Sequence, residues 1–327
     1  MATLRYREAL NAALREEMAR DRSVILMGED IGVFNGAFKV TAGLLQEFGE
    51  TRVRDTPISE NTIVGIGVGA AMVGLRPVVE LMTINFSLLA MDQIVNHAAH
   101  IRYMFGGQVK VPLVIRMPQG AGHQLGPTHS HCWEAMYLQV PGLLVAVPST
   151  AADAKGLLKA AIRDDNPVIF IEHESLYGQR GEVPDGEHVV DFGQAAIRRE
   201  GDDVTIIGIS RMAITAERAA QALSDQHGIE ADRDQREVAR QAQRAGMGGV
   251  GGRHRSVRRV AGNGRQSPRA YRRTAGPPCR LSARVRVPAR RVRAPRRPTA
   301  AGSAAPSAPA RAHARASPRC DRPRTRR

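Results

Sequence analysis

Cysteine is scarce in this chain of 327 residues: Cys132, Cys279 and Cys320 are all it has. Their spacing offers neither a thiolate zinc site nor a disulfide framework. No stretch is apolar for long enough to cross a bilayer. The N-terminal segment "MATLRYREALNAALREEMARD" is charged throughout and lacks the uninterrupted apolar core of a secretory signal. A reduced, cytoplasmic protein with no membrane partner is the expectation.

Lysine is absent from residue 231 onward, where 27 arginines face four acidic residues, a net charge of +23. The whole chain carries +15, so the preceding part carries −8. An acidic body is joined to a very basic tail. The tail, 231–327, is rich in Arg, Ala, Pro and Gly and has no usable hydrophobic period. Such a composition buries too little apolar surface to offset its conformational entropy. Two readings are open. A basic arm for nucleic acid would bind with steep salt dependence. Arg, Ala, Pro and Gly are also the residues of GC-rich codons, so a reading-frame shift close to Glu230 gives the same composition, and disorder is expected under it. Neither reading implies a specific nucleic-acid site.

The body alternates helix and strand. Leu10, Leu14 and Met18 recur at helical spacing. Apolar runs of strand type follow at 23–28, 76–81, 111–117, 142–147 and 166–172, with helical patterns at 90–104 and 150–163. Thr150 followed three residues later by Asp153 resembles a capping box. Near-continuous apolar strands separated by helices imply an α/β fold, a parallel sheet covered by helices on both faces. A second unit opens near Gly201, with "DVTIIGIS" as strand and 212–226 as helix; "HGIEA" should lead into a further strand, and none is legible.

"DTPISENTIVGIGVGAAMVG", residues 55–74, sets Glu60 immediately before an apolar, glycine-rich run. A carboxylate there is costly to bury without a partner. Gly65, Gly67 and Ala70 fit the dinucleotide-binding pattern G-x-G-x-x-A, but "RDTPISEN" before them is not the strand that pattern needs. Gly65, Gly69 and Gly74 read instead as sites of close helix packing. Glu60 would stand at the helix start, where the dipole favours a carboxylate; capping alone is one role open to it.

The segment from "DTPISEN" to "IRYMFGGQ", with "VPLVIRMPQGAGHQLGPTHSHCWEAMYLQVPGL" and "PSTAADAKGLLKAAIRDDNPVIFIEHESLYG", resembles the beta subunits of thiamine-dependent 2-oxo acid dehydrogenases, nearest to the pyruvate type. The resemblance runs from about Leu4 to Glu230. It implies a transketolase-like pyrimidine-binding domain over 1–185 and the start of the family's second α/β domain over 186–230. It assigns Glu60 to the aminopyrimidine ring of thiamine diphosphate, where a carboxyl on the ring nitrogen favours the imino tautomer that generates the reactive carbon. Phe86 matches the aromatic residue beside that ring. In "GPTHSH", His129 matches a histidine at the active-site entrance, suited to proton exchange near neutral pH; without the resemblance His123, His129 and His131 rank equally. In "AAIRDDNP", Ala161, Ile162, Asp164 and Asn166, with Leu113 from a neighbouring strand, match a potassium site of main-chain oxygens. The reading of the residues alone is a helix C-terminus whose orphan carbonyls water satisfies.

Thiamine enzymes hold the diphosphate through magnesium on a G-D-G motif, which this chain lacks; "GDD" at 201–203 opens a strand. The resemblance therefore implies an alpha subunit that holds the magnesium, an alpha-two beta-two heterotetramer with the cofactor at its interface, and a dihydrolipoyl acyltransferase that takes the acyl group. A 2-oxo acid is the implied substrate: pyruvate, or alternatively a branched-chain 2-oxo acid or acetoin. A truncated product without activity is a further alternative.

Overall fold

A computed structural model describes residues 1–232. The arginine-rich stretch, and with it the disorder and frame-shift readings, lies outside the described residues except for Ala231 and Asp232.

In chain order, β1 (Ala2–Arg5) leads into α1 (Tyr6–Arg20) and β2 (Val24–Gly28). There follow α2 (Leu44–Phe48), β3 (Val53–Asp55), α3 (Glu60–Met72) and β4 (Arg76–Glu80). A 3-10 turn (Ile84–Ala90), a π turn (Gln93–Ala99) and α4 (Ile101–Met104) precede β5 (Val114–Gln119). Another 3-10 turn (Pro127–His129), α5 (Glu134–Leu138), β6 (Leu144–Ala146), α6 (Ala151–Arg163) and β7 (Val168–His173) come next. After a last 3-10 turn (Glu174–Leu176), β8 (Arg180–Val183), β9 (Val204–Thr205), α7 (Ser210–His227) and β10 (Ala231–Asp232) end the described chain.

The main sheet is parallel, in the order β3-β2-β4-β5-β7-β6. Its strands divide their side chains between two apolar layers. Val24, Leu26, Val78, Val114, Val168 and Phe170 face α1 and α6. Ile25, Met27, Val79, Ile115, Ile169 and Ile171 share the other layer with Ile63, Val64 and Val68 of α3. Both faces are buried, which is why these strands read as unbroken apolar runs. Thr150 caps α6 as its spacing suggests: its hydroxyl accepts the Asp153 amide hydrogen at 3.1 Å.

Four expectations need correction. The helical stretch expected over 90–104 forms, but as a π turn (Gln93–Ala99) running into the short α4 (Ile101–Met104) and not as one regular α-helix, with Ile94 and Ala99 of the π turn both buried. Among the glycines of α3, Gly67 makes the close approach: a Cβ there would lie 2.9 Å from Val79 and 3.0 Å from Leu113. Gly65 keeps the expected role, a Cβ there lying 3.3 Å from Gln93 Oε1, whereas Gly69 and Gly74 meet nothing within 4 Å and Gly74 serves instead as a turn residue with φ +99°. The strand expected in "DVTIIGIS" is confined to Val204–Thr205, and "GIEA" does lead into a partner, because Ala231–Asp232 pairs parallel to it.

Candidate functional site

The chain runs outward from β2 to β3, then returns across β2 to β4, so the sheet order reverses there. Crevices at the C-terminal ends of parallel strands near such a reversal are where α/β folds place ligands. Glu29 follows β2, Glu60 starts the helix between β3 and β4, and Phe86 lies on the turn after β4.

Glu60 is 6% exposed. Its carboxylate has no hydrogen bond or ion pair with any described residue, and its place in the first turn of α3 gives it only the helix dipole. Burying a carboxylate so is costly unless a ligand or another chain completes it. Helix α3 packs on the 84–90 turn, and that turn packs on the 127–129 turn. Phe86 meets His129 across this contact, ring centroids 5.2 Å apart and planes at 88°, an edge-to-face pair. Both rings are half-buried. Burial, then the charges of Asp30 and Glu60, push the Glu29 carboxyl above the usual range.

Residues 2–180 match the profile described as "transketolase, pyrimidine binding domain". The chain belongs to this family. Among curated proteins it is 53% identical over 233 residues to the pyruvate dehydrogenase E1 component subunit beta of Rhizobium meliloti, covering 71% of this chain and 50% of that one. It is 53% identical over 230 residues to a mitochondrial beta-1 subunit of Oryza sativa, covering 69% and 61%. To the beta subunit of Rickettsia felis it is 52% identical over 219 residues, covering 67% of each. The chain thus spans about half to two thirds of the curated relatives it matches. Among solved structures, a split-gene transketolase described as an inactive beta4 tetramer superposes with a TM-score of 0.58 at 23% identity, covering 74% of this chain and 76% of that one. A transketolase from Leishmania mexicana gives 0.56 at 18%, covering 72% and 34%. At those identities the likeness shows the fold alone.

Within this pyrimidine-binding domain the five residues matched to a potassium site also come together, at the end of α6 and the starts of β5 and β7. Arg76 donates to the carbonyl oxygens of Ile162 (3.0 Å) and Asp164 (2.9 Å) and to the Asp165 carboxylate (2.7 Å). The Leu113 carbonyl accepts the Val168 amide hydrogen at 2.8 Å. Asn166 accepts from Arg102 through Oδ1, and its amide groups donate to the Asp164 carboxylate. Ala161 is buried on the last turn of α6.

Of the other two histidines, His123 pairs with Glu174 at 2.6 Å, away from Phe86. His131 pairs with Asn85, next to Phe86. Sequence reasoning missed Asn85, Gln119 and Glu29. Glu29 and Gln119 had a legible signal, a polar residue at the C-terminal end of a buried parallel strand; Asn85 had none. His173, below Gly120, also escaped notice; burial, then Arg211 and His123, hold its imidazole down to about 4.

Proposed function

We propose that this chain is the beta subunit of a thiamine-diphosphate-dependent 2-oxo acid dehydrogenase, decarboxylating pyruvate and passing the acyl group to the lipoyl group of a dihydrolipoyl acyltransferase. The observation that carries this reading is Glu60, buried and unpaired at the start of α3, with Phe86 and His129 on the adjoining turns. A ring nitrogen of the aminopyrimidine would give the carboxyl its missing partner. Bound there, thiamine diphosphate supplies a carbon nucleophile and an electron sink for decarboxylation. Glu60 holds a proton against the ring nitrogen, Phe86 packs the ring, and His129 exchanges protons at the entrance.

The diphosphate and its magnesium fall to an alpha subunit in this reading. The exposed face of α3 supports such a partner. Ile66 is 53% and Val73 81% exposed, and Gly69 leaves open room for a helix to approach closely. Potassium at the end of α6 belongs to the same proposal; it would share the Ile162 and Asp164 oxygens with Arg76, each carbonyl having a second lone pair. Residues 1–185 would form the pyrimidine-binding domain, and 186–230 would open the second. The parallel unit β9-α7-β10 supports that boundary. Cytoplasmic localisation completes the reading.

The test is co-expression with the cognate alpha chain, calorimetric titration of thiamine diphosphate, and decarboxylation assays with pyruvate, branched-chain 2-oxo acids and acetoin. The assembled parent should bind the cofactor and prefer pyruvate. Glu60→Gln should lower turnover roughly 100-fold or more without unfolding the chain; turnover within threefold of the parent would reduce Glu60 to a helix cap.

A further inference from the structure

His129 has few ties of its own. Besides the edge of Phe86, its imidazole has a 3.1 Å contact with the neighbouring Thr128 hydroxyl. The eight residues before it, 121–128, are all exposed. His123 tethers the far part of this loop through Glu174. What fixes the near part is two residues on.

The His131 carbonyl accepts the Gly120 amide hydrogen at 3.0 Å, closing the loop at its base. The imidazole lies flat on Trp133, centroids 4.6 Å apart and planes at 24°. The Trp133 amide hydrogen goes to Gln119 Oε1 at 3.2 Å. On the other side His131 Nδ1 pairs with Asn85 Nδ2. Asn85 is 5% exposed, and its Oδ1 accepts from the Thr83 hydroxyl at 2.8 Å, which turns the amide nitrogen towards the imidazole. With the amide nitrogen facing it, Nδ1 serves as the acceptor of this pair. The loop and the turn are joined by two adjacent rungs, Phe86 with His129 and Asn85 with His131.

We propose that His131 is a positioning residue, binding the loop that carries His129 to the turn that carries Phe86. In this role it acts through Asn85 and the loop backbone and not on cofactor or substrate directly. Its imidazole gives buried Asn85 its acceptor, and a buried donor left without one is costly. Losing that rung frees the turn to move and Phe86 with it, and leaves the Phe86–His129 ring contact as the remaining side-chain link between loop and turn. Displacements of about 1 Å at a reacting centre can cost up to about 100-fold in rate. The significance of Phe86 and His129 rests on the function proposed above; the bracket itself does not.

Trp133 is the only tryptophan in the chain, so its fluorescence reports on the stacked imidazole directly. In the full chain alone, Asn85→Ala and His131→Ala should both alter the intensity of Trp133 emission and its quenching by acrylamide. Unchanged emission in both would overturn the proposal, whatever the assembled enzyme does. In the complex with the alpha chain, His131→Ala should weaken thiamine diphosphate binding and lower kcat about tenfold each, leaving KM within about threefold. His131→Asn presents Oδ1 where Nδ1 stood and should recover most of both. The Asn85→Ala/His131→Ala pair should be no worse than either alone. Binding and kcat at the parent's values in His131→Ala, no rescue by Asn, or fully additive losses would refute the positioning role. If the parent complex binds no thiamine diphosphate, the proposed function fails, and the fluorescence result still decides the bracket.

Discussion

Arg116→Met should be the most damaging single substitution in the sheet. Arg116 is 1% exposed and sits on β5 between two buried carboxylates. It donates to both oxygens of Glu172 at 2.7 Å and to Glu80 from its third nitrogen. Burial works against its charge, but Glu172 and Glu80 outweigh that and hold the guanidinium firmly protonated. Methionine would leave Glu172 with only the Tyr177 hydroxyl at 2.7 Å, and Glu80 with no partner among the described residues. Removing one member of a buried ion pair costs about 3–5 kcal/mol, against a total stability of about 5–15 kcal/mol for a typical domain. Urea unfolding at neutral pH, followed by far-UV circular dichroism, measures the loss. It should shrink at acid pH, where the Glu80 carboxyl, already raised by burial, takes up a proton. Adding Glu80→Gln and Glu172→Gln to Arg116→Met should restore at least half of it. A loss below about 1 kcal/mol, or no recovery in the triple variant, would show that water reaches these groups and that the reasoning is wrong.

Glu80→Gln should behave in the opposite way. Burial, opposed by Arg116 and reinforced by Glu172, raises the Glu80 carboxyl above its ordinary value of about 4.5. The folded chain therefore binds the proton more tightly than the unfolded one; that stability is complete below about 4.5 and is lost as pH rises through the folded value. Glutamine removes this loss, so the variant should gain on the parent between acid and neutral pH in unfolding titrations; a constant difference would exclude Glu80 as its source. Gly67→Ala, whose Cβ would crowd Val79 and Leu113, should lower stability by about 1–3 kcal/mol, whereas Gly69→Ala should preserve or raise it in the isolated chain. Equal effects in thermal melts would contradict the packing assignment. His129→Ala should leave thiamine diphosphate affinity nearly unchanged and sharply lower overall turnover of the assembled complex; a large loss of affinity by calorimetry would move His129 into the binding shell.

The strands β2, β4, β5, β6 and β7 were legible because two-sided burial leaves no polar alternation to confuse the pattern. β3 was not, since only Val53 of Val53–Asp55 is buried. Glycine spacing within α3 indicated that close packing occurs but not which glycine makes it; three-dimensional neighbours decide that, and they favour Gly67. At the site, the residue types alone singled out Glu60, because a carboxylate beside an apolar helix demands a partner. They could not separate His129 from His123 and His131. That distinction depends on which histidine reaches the 84–90 turn, and two of the three do. The contribution of Arg76 to the end of α6 was hidden by its distance in sequence, 86 residues from Ile162.

The sheet order also governs how the fold can assemble as the chain is made. Among the described residues strand β6 pairs with β7 alone, while β5 has β4 on one side and β7 on the other. When residues 144–146 leave the ribosome they have nowhere to dock, and the open edge of β5 waits with them. Both are satisfied when "VIFIEH" slots between them. A nascent chain whose emerged part ends before residue 168 therefore exposes two sticky edges to chaperones or to other copies. A pause in synthesis would be better tolerated once β7 has emerged than while β6 is out and β7 is still inside the ribosome.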